Sequence, residues 1–530
     1  MNKQNNKNID LKENSAPDTD FLKDSASLNF DYGIYVDDQL EDQVSDIDRH
    51  LGEYNQSATR DFISTSQKLT ILSFVISFAV FFIIQPQIAI STFLILGSLL
   101  HFLLTVTKHC LFYLKEKIVS LRDTYLNSIK NIFNKEYDLD KYPLYSVLLP
   151  VFMEEKEILE QLLSSIYNFD YPKEKLQVLL ILEESDEKTI SQVKNIKSDL
   201  DYQLVIVPNF KPQTKAKACN YALNFVRGEY VVIFDADDIP SPDQLQVAID
   251  RFKNKDEKLA CLQAKLNYYN ADENLLTRLF SLEYAVLFDK LLPSLSKHNY
   301  PLPLGGTSNH FKADVLKKLK GWDIYSLAED AEIGMRLAVN GYKTETLDSY
   351  TAEESPVTMW AWIKQRSRWL KGFIQTYLLY LQQSNNLTDK IGAKKSFVSM
   401  HFMLGLSTLS LLVTPLMIAL GTLTFVDYIS IQPDINKYIL TIAGISAALW
   451  IITSIKQSID TIKSSDFLKD LSLTKKIILI AAFPPYFILH TIAALYSVFD
   501  LVRRPFYWSK TKHGLSKSKK GLDKLFNKAS

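Results

Sequence analysis

The chain has 530 residues, too many for one ordinary domain, and 47% of them are hydrophobic. Lys plus Arg and Asp plus Glu balance at 60 each, so bulk charge points to neither nucleic acid nor an acidic partner. Cys110, Cys219 and Cys261 form no CxxC pair and no zinc spacing, which argues for reduced structural thiols.

Residues 1–60 are polar, with scattered acids such as Asp37, Asp38, Glu41 and Asp42 and no apolar core or cleavage site. They read as a disordered, solvated tail. Between Lys68 and Lys108 there is no charged residue. That run is about twice the ~20 apolar residues of one membrane-crossing helix. Gln85-Pro86-Gln87 divides it, predicting two helices, about 69–84 and 88–107, as a membrane hairpin within 61–110. His101 reads as a packed polar group inside the second helix. Lys108, Lys115, Lys117 and Arg122 then place the following soluble region, and the N-terminus, on the cytoplasmic side.

From Tyr142 the texture changes. Ser146–Pro150, Leu176–Leu182, Leu204–Val207 and Tyr230–Phe234 read as strands; Ile158–Tyr167 and Lys217–Val226 read as helices. Their alternation predicts an α/β domain over 111–355 with a mostly parallel sheet covered on both faces. The run Val231–Phe234 ends in Asp235-Ala236-Asp237-Asp238 and breaks at Pro240. Carboxylates at the C-terminal end of a buried strand sit where ligands bind in open α/β sheets. Two of them one residue apart suit a hard divalent cation that also bridges phosphate oxygens. Taken alone, a D-x-D is more often just an acidic turn. Glu154 and the pair Glu183-Glu184 also follow strand ends, on the same rim.

P-L-G-G-T-S-N-H at 303–310 allows close backbone approach, and Ala328-Glu329-Asp330 opens a helix, where an acid is ordinarily a cap. Within 356–395, Trp360, Trp362 and Trp369 interleave with Lys364, Arg366, Arg368 and Lys371, as in a membrane-interface helix. Arg366 and Arg368 also suit phosphate. Two further spans, about Phe397–Phe425 and Tyr438–Ile455, lie within 396–457. In 458–502 the apolar stretch 477–502 is predicted to break at Pro484-Pro485. The tail 503–530 is basic, and one crossing would put it outside, so 458–502 reads as interfacial or re-entrant.

Several short motifs occur in one order. L-P-V-F-M-E-E at 149–155 looks like a P-x-Y-N-E segment, and L-E-E-S at 182–185 stands at an Asp-Asp position. K-A-K-A-C-N at 215–220 looks like K-A-G-N, and D-A-D at 235–237 is the metal motif. A-E-D at 328–330 corresponds to T-E-D, and Q-R-S-R-W at 365–369 to Q-x-x-R-W. W-S-K-T-K-H-G at 508–514 looks like a loop that covers the active site. Together these resemble the membrane-integrated, processive family-2 glycosyltransferases of the cellulose synthase and hyaluronan synthase type, over about 142–514. Met153, Glu183-Glu184, Cys219 and the Gly305-Gly306 loop depart from that family's usual residues.

The resemblance implies a GT-A-like cytoplasmic domain inserted between α-helical transmembrane segments, with amphipathic interface helices. It implies Asp235 and Asp237 as ligands of Mg²⁺ or Mn²⁺ on a nucleotide-sugar diphosphate, with Gln365, Arg366 and Arg368 as further donors. Glu154, Glu183, Glu184 and Lys217 would line the nucleotide end. Asp330 would be the general base, Trp369 the acceptor platform, and Trp508, Lys510, Thr511 and His513 a gating loop. The implied reaction is inverting and processive. UDP-glucose is the leading donor and a cellulose-like or mixed-linkage β-glucan the product, extruded through the bilayer of the cell membrane. A GDP-mannose-dependent (gluco)mannan synthase, a UDP-N-acetylhexosamine polymer synthase and a non-processive lipid-carrier transferase remain alternatives. So does a non-catalytic scaffold. A separate secretion partner stays open, and no nucleic acid is expected.

Overall fold

The computed structural model describes residues 62–113, 139–253, 256–387, 391–430, 433–507 and 516, all within one compact unit, Ser57–Ser530. The expected tail 1–60, the basic residues Lys115, Lys117 and Arg122, and the gating residues Trp508, Lys510, Thr511 and His513 lie outside the described residues.

Continuous apolar runs build the sheet. Strands β1 (Tyr145–Val151), β2 (Leu176–Glu183), β3 (Gln203–Val207) and β4 (Tyr230–Ile233) are followed by β5 (Ile239–Pro240), β6 (Leu259–Tyr268), β7 (Asn309–Lys312) and β8 (Lys343–Glu353). They form an eight-stranded mixed sheet in the order β3-β2-β1-β4-β7-β6-β8-β5. The pairs β1–β2, β2–β3, β1–β4 and β6–β8 are parallel; β7 runs antiparallel to β4 and β6. Every residue of β1 except Pro150 is buried, as a strand covered on both faces requires. One cover is helix α3 (Lys156–Tyr167), whose Ile158, Leu159, Leu162, Leu163 and Ile166 form a buried stripe at helical spacing.

Outside this domain, α1 (Thr65–Ile84) and α2 (Pro86–Tyr113) form the expected hairpin pair, separated at Gln85. Ser64 caps α1 in a capping box with Gln67. No residue of α1 is buried, and Phe74 is 70% exposed, a surface that water disfavours and hydrocarbon accepts. His101 of α2 is indeed a packed polar group, with Nε2 3.2 Å from the Thr414 hydroxyl. Among the described residues, five helices are long and apolar enough to cross a membrane: Thr65–Ile84, Pro86–Tyr113, Lys395–Val426, Lys437–Ser464 and Leu473–Arg503.

The last of these corrects one expectation. Leu473–Arg503 is a continuous helix and does not break at Pro484-Pro485. The prolines remove two backbone donors, but Phe483, Tyr486 and His490 on the same stretch are buried against neighbours, and that packing holds the helix together. Both ends of this helix also meet the α/β domain. Phe467, just before it, packs on Tyr350 with ring centroids 5.5 Å apart, and Phe506, just after it, on Tyr325 at 5.8 Å.

Candidate active site

Strand β4 delivers a turn of three acids beyond its C-terminal end, and each has a different environment. Asp238 is fully buried; it accepts the Asp235 N–H at 2.6 Å and the Thr307 hydroxyl. Burial, then the charges of Asp235 and Asp237, push its carboxyl well above the usual range, and its two accepted hydrogen bonds buttress the turn. Asp237 is buried and accepts the Glu354 N–H at 2.9 Å, which ties the turn to the end of β8. Asp235 keeps 38% of its side chain exposed and pairs with the Lys215 ammonium, which also donates to the Gly306 carbonyl at 2.6 Å. An ammonium drawn onto Asp235 shows that this carboxylate stabilises a cation. Asp235 and Asp237 therefore fit a Mg²⁺ or Mn²⁺ ion that takes its remaining oxygens from phosphate and water. Among the described residues no group of three or more His, Cys, Asp or Glu could hold a metal without such help.

Asp330 approaches from another element. Helix Glu329–Val339 is capped at Ala328, so Asp330 is not the cap; its Oδ1 accepts the Ala331 N–H at 2.7 Å. Burial, and then the neighbouring Glu329 charge, raise its carboxyl to about 7, while the Ala331 N–H, Lys215 and Arg368 pull the other way. A carboxyl near neutrality is matched to proton abstraction at neutral pH.

Helix Met359–Leu387 packs directly on this turn. A Cβ at Gly372 would come 2.6 Å from both the Ala328 Cβ and its backbone nitrogen. The missing side chain lets the helix close in, and Arg368 enters the field of Glu329, Asp330 and Asp235. Arg368 and Gln365 line the same cavity, and among the described residues Arg368 Nε and Gln365 Oε1 are buried with no partner. Buried polar atoms without a partner are unfavourable, and a polar ligand at these two residues would offer them one. That cavity has a volume of about 1320 Å³. Its lining includes Asp235, Asp237, Asp330 and Trp369, and also Ser98, Thr414, Ser446 and Trp450 from the apolar helices.

Comparison with known proteins decides the class. Residues 143–372 match the sequence profile described as "Glycosyltransferase like family 2". These residues are a family-2 glycosyltransferase domain. Its mixed sheet with flanking helices is GT-A-like. The chain is 28% identical over 272 residues to the probable glycosyltransferase YdaM of Bacillus subtilis (strain 168). That match covers 50% of this chain and 64% of the relative, so slightly less than two thirds of the relative is spanned. Among solved structures, the mannosyltransferase PcManGT from Pyrobaculum calidifontis, in complex with GDP-Man and Mn²⁺, is similar at 19% identity and TM-score 0.47. The similarity covers 78% of this chain and 99% of that one. S. aureus TarS 1-349 is similar at 16% identity and TM-score 0.34, covering 70% of this chain and 97% of that one.

Within the glycosyltransferase domain the sequence-expected residues divide. Glu154, Glu183, Asp235, Asp237, Asp330, Gln365, Arg366, Arg368 and Trp369 all line the cavity. Lys217 and Glu184 are not among its lining residues. Lys217 is buried against Glu183 at 2.7 Å, with side chains 1% and 7% exposed, and it also donates to the Phe210 carbonyl at 3.1 Å. Lys217 thus meets Glu183, its expected neighbour, without lining the cavity, while Lys215 lines it and pairs with Asp235. Two residues apart on a helix lie about 200° apart around its axis, so the two lysines meet different carboxylates, Lys215 at Asp235 and Lys217 at Glu183. Glu184 accepts the Asn209 N–H at 2.9 Å, facing away as the residue after Glu183 does on a strand.

The same phase argument separates Arg366 from Arg368. Arg366 turns from the carboxylate turn and pairs with Glu283 at 2.7 Å. Its guanidinium lies 4.7 Å from the centre of the Trp369 ring. Sequence reasoning missed Lys215, Asp238 and Glu283. The only signal for Glu283 was a single acid in the apolar run Leu279–Val286.

Proposed function

We propose that the protein is a membrane-integral, processive, inverting glycosyltransferase that joins nucleotide-sugar units, UDP-glucose foremost, into a β-linked glucan. The observation that carries this reading is the cavity that Asp235, Asp330 and Trp369 share with Ser98, Thr414, Ser446 and Trp450 of the apolar helices. A transferase that released each product into water has no use for that continuity. An elongating glycan does, and the aromatic rings of Trp369 and Trp450 on its walls suit the apolar faces of a sugar.

In this reading the acceptor hydroxyl attacks the anomeric carbon from the face opposite the diphosphate. Asp330 takes the hydroxyl proton, the new glycosidic bond forms, and the carbon–oxygen bond to the nucleoside diphosphate breaks, inverting the centre. Arg368 and Gln365 bind diphosphate oxygens, and Trp369 stacks on the terminal sugar. A bound Mg²⁺ or Mn²⁺, held by Asp235 and Asp237, would neutralise charge on the departing diphosphate. Glu154 and Glu183 face the nucleotide, with Lys217 holding Glu183 in place. The domain faces the cytoplasm, where nucleotide sugars are made. Helix Leu473–Arg503 lies along the membrane interface, a reading supported by its two ends meeting the same domain.

The test is incorporation from labelled UDP-glucose by protein purified into nanodiscs with Mg²⁺ or Mn²⁺, with Asp330→Asn as control and linkage-specific glucanases on the product. Polymer that depends on Asp330 supports the reading, and the digestion pattern assigns the linkage. Polymer only from GDP-mannose or a UDP-N-acetylhexosamine keeps the mechanism and replaces the donor. Transfer of a single sugar to a lipid carrier overturns processivity.

A further inference from the structure

Glu283 belongs to none of the motifs behind the proposed reaction, yet groups from three other elements converge on it. It projects from helix Leu275–Val286 of the glycosyltransferase domain into the cavity wall. Arg366 of helix Met359–Leu387 pairs with it at 2.7 Å. From helix Leu473–Arg503, the Tyr486 hydroxyl donates to it at 2.8 Å and His490 Nε2 stands 3.2 Å away. Lys108 of α2 lies within its electrostatic field.

Arg366 passes this anchoring on. Its guanidinium lies 4.7 Å from the Trp369 ring centre, 5.0 Å from Phe280 and 5.2 Å from Trp362. A cation over an aromatic face constrains the ring as well as the cation. Arg366 lines the cavity, and among the described residues its Nε is buried without a hydrogen-bond partner. Burial alone would push the Glu283 carboxyl up. The Arg366 charge beside it, with hydrogen bonds from His490 and Tyr486, outweighs this and brings it to about 2. The carboxylate is therefore ionised at every working pH. A purely structural contact here could be apolar at no loss of stability, because burying an ion pair is seldom a net gain.

We propose that Glu283 is a positioning residue for the acceptor. Through Arg366 it sets the plane of Trp369 and links that platform to the membrane-facing helices, keeping the terminal sugar in register with Asp330 as the chain advances. This rests on the processive reading above.

Glu283→Gln keeps the size of the side chain and its ability to accept from Tyr486, and removes the charge. The expected result is a split. Donor KM and acceptor-independent hydrolysis of the nucleotide sugar stay within about twofold, while elongation slows roughly ten- to hundredfold, the scale of loss from a misplaced reactant. Product chains shorten. Glu283→Asp, which keeps the charge, elongates faster than Glu283→Gln, and it carries the test if the Gln variant does not fold. Unchanged rate and chain length in Glu283→Gln would overturn the proposal. So would a parallel loss of donor hydrolysis, which marks a structural role, or an Asp variant no better than Gln. Absence of polymer from the wild type would instead overturn the processive reading itself.

Discussion

Acidification provides a direct test of Asp330 as the base. Burial and the adjacent Glu329 charge place its carboxyl at about 7, and only the ionised form can take a proton from the acceptor. The fraction ionised is then about nine tenths near pH 8, one half near pH 7 and one tenth near pH 6. The sign follows: raising the pKa of a required base removes activity on the acid side. kcat/KM should fall about tenfold for each unit below the midpoint, because this ratio reports groups of the free enzyme. The assay is nucleoside-diphosphate release at limiting donor and fixed acceptor across that range.

Glu329→Gln adds a directional check. It deletes the charge that, after burial, does most to raise Asp330, so the acid limb should move to lower pH. A flat profile between about pH 6 and 8, or a limb that stays in place in Glu329→Gln, would refute the assignment of Asp330 or the account of its environment.

Asp237→Asn should weaken Mn²⁺ binding at least about tenfold in the presence of UDP, read by electron paramagnetic resonance, since it removes one of only two protein carboxylates in the set. Lys217→Met leaves the Glu183 carboxylate buried without its cation and should destabilise the fold by about 3–5 kcal/mol, seen as a lowered Tm with the cavity residues intact. Gly372→Ala forces helix Met359–Leu387 away from Ala328; a loss of about 1–3 kcal/mol is expected, with kcat reduced more than donor KM because Arg368 and Trp369 shift relative to Asp330. A Gly372→Ala variant with wild-type kcat would show that this close approach is not what places them.

Much of the site was legible one segment at a time. Val231–Phe234 followed by Asp235 and Asp237 announces a buried strand ending in a polar rim, because period and composition are local properties. The uncharged run between Lys68 and Lys108 announces membrane helices for the same reason. The later strands β6, β7 and β8 went unassigned. β7 is only Asn309–Lys312 and polar in part, and its place between β4 and β6 comes from long-range pairing. The break expected at Pro484-Pro485 did not occur, because contacts to residues far away in sequence outweigh two missing donors.

By itself, then, the sequence determined the class of domain, the carboxylate turn after β4, the acid at Asp330 and the presence of membrane-length helices, since each is written in neighbouring residues. Tertiary structure decided where neighbouring side chains point: Lys215 to Asp235 and Lys217 to Glu183, Arg368 toward Asp330 and Arg366 to Glu283. The rotational phase of a docked helix makes that choice, and phase is set by packing. It also brought Glu283 to His490 across 207 positions of chain, a meeting that no local pattern encodes.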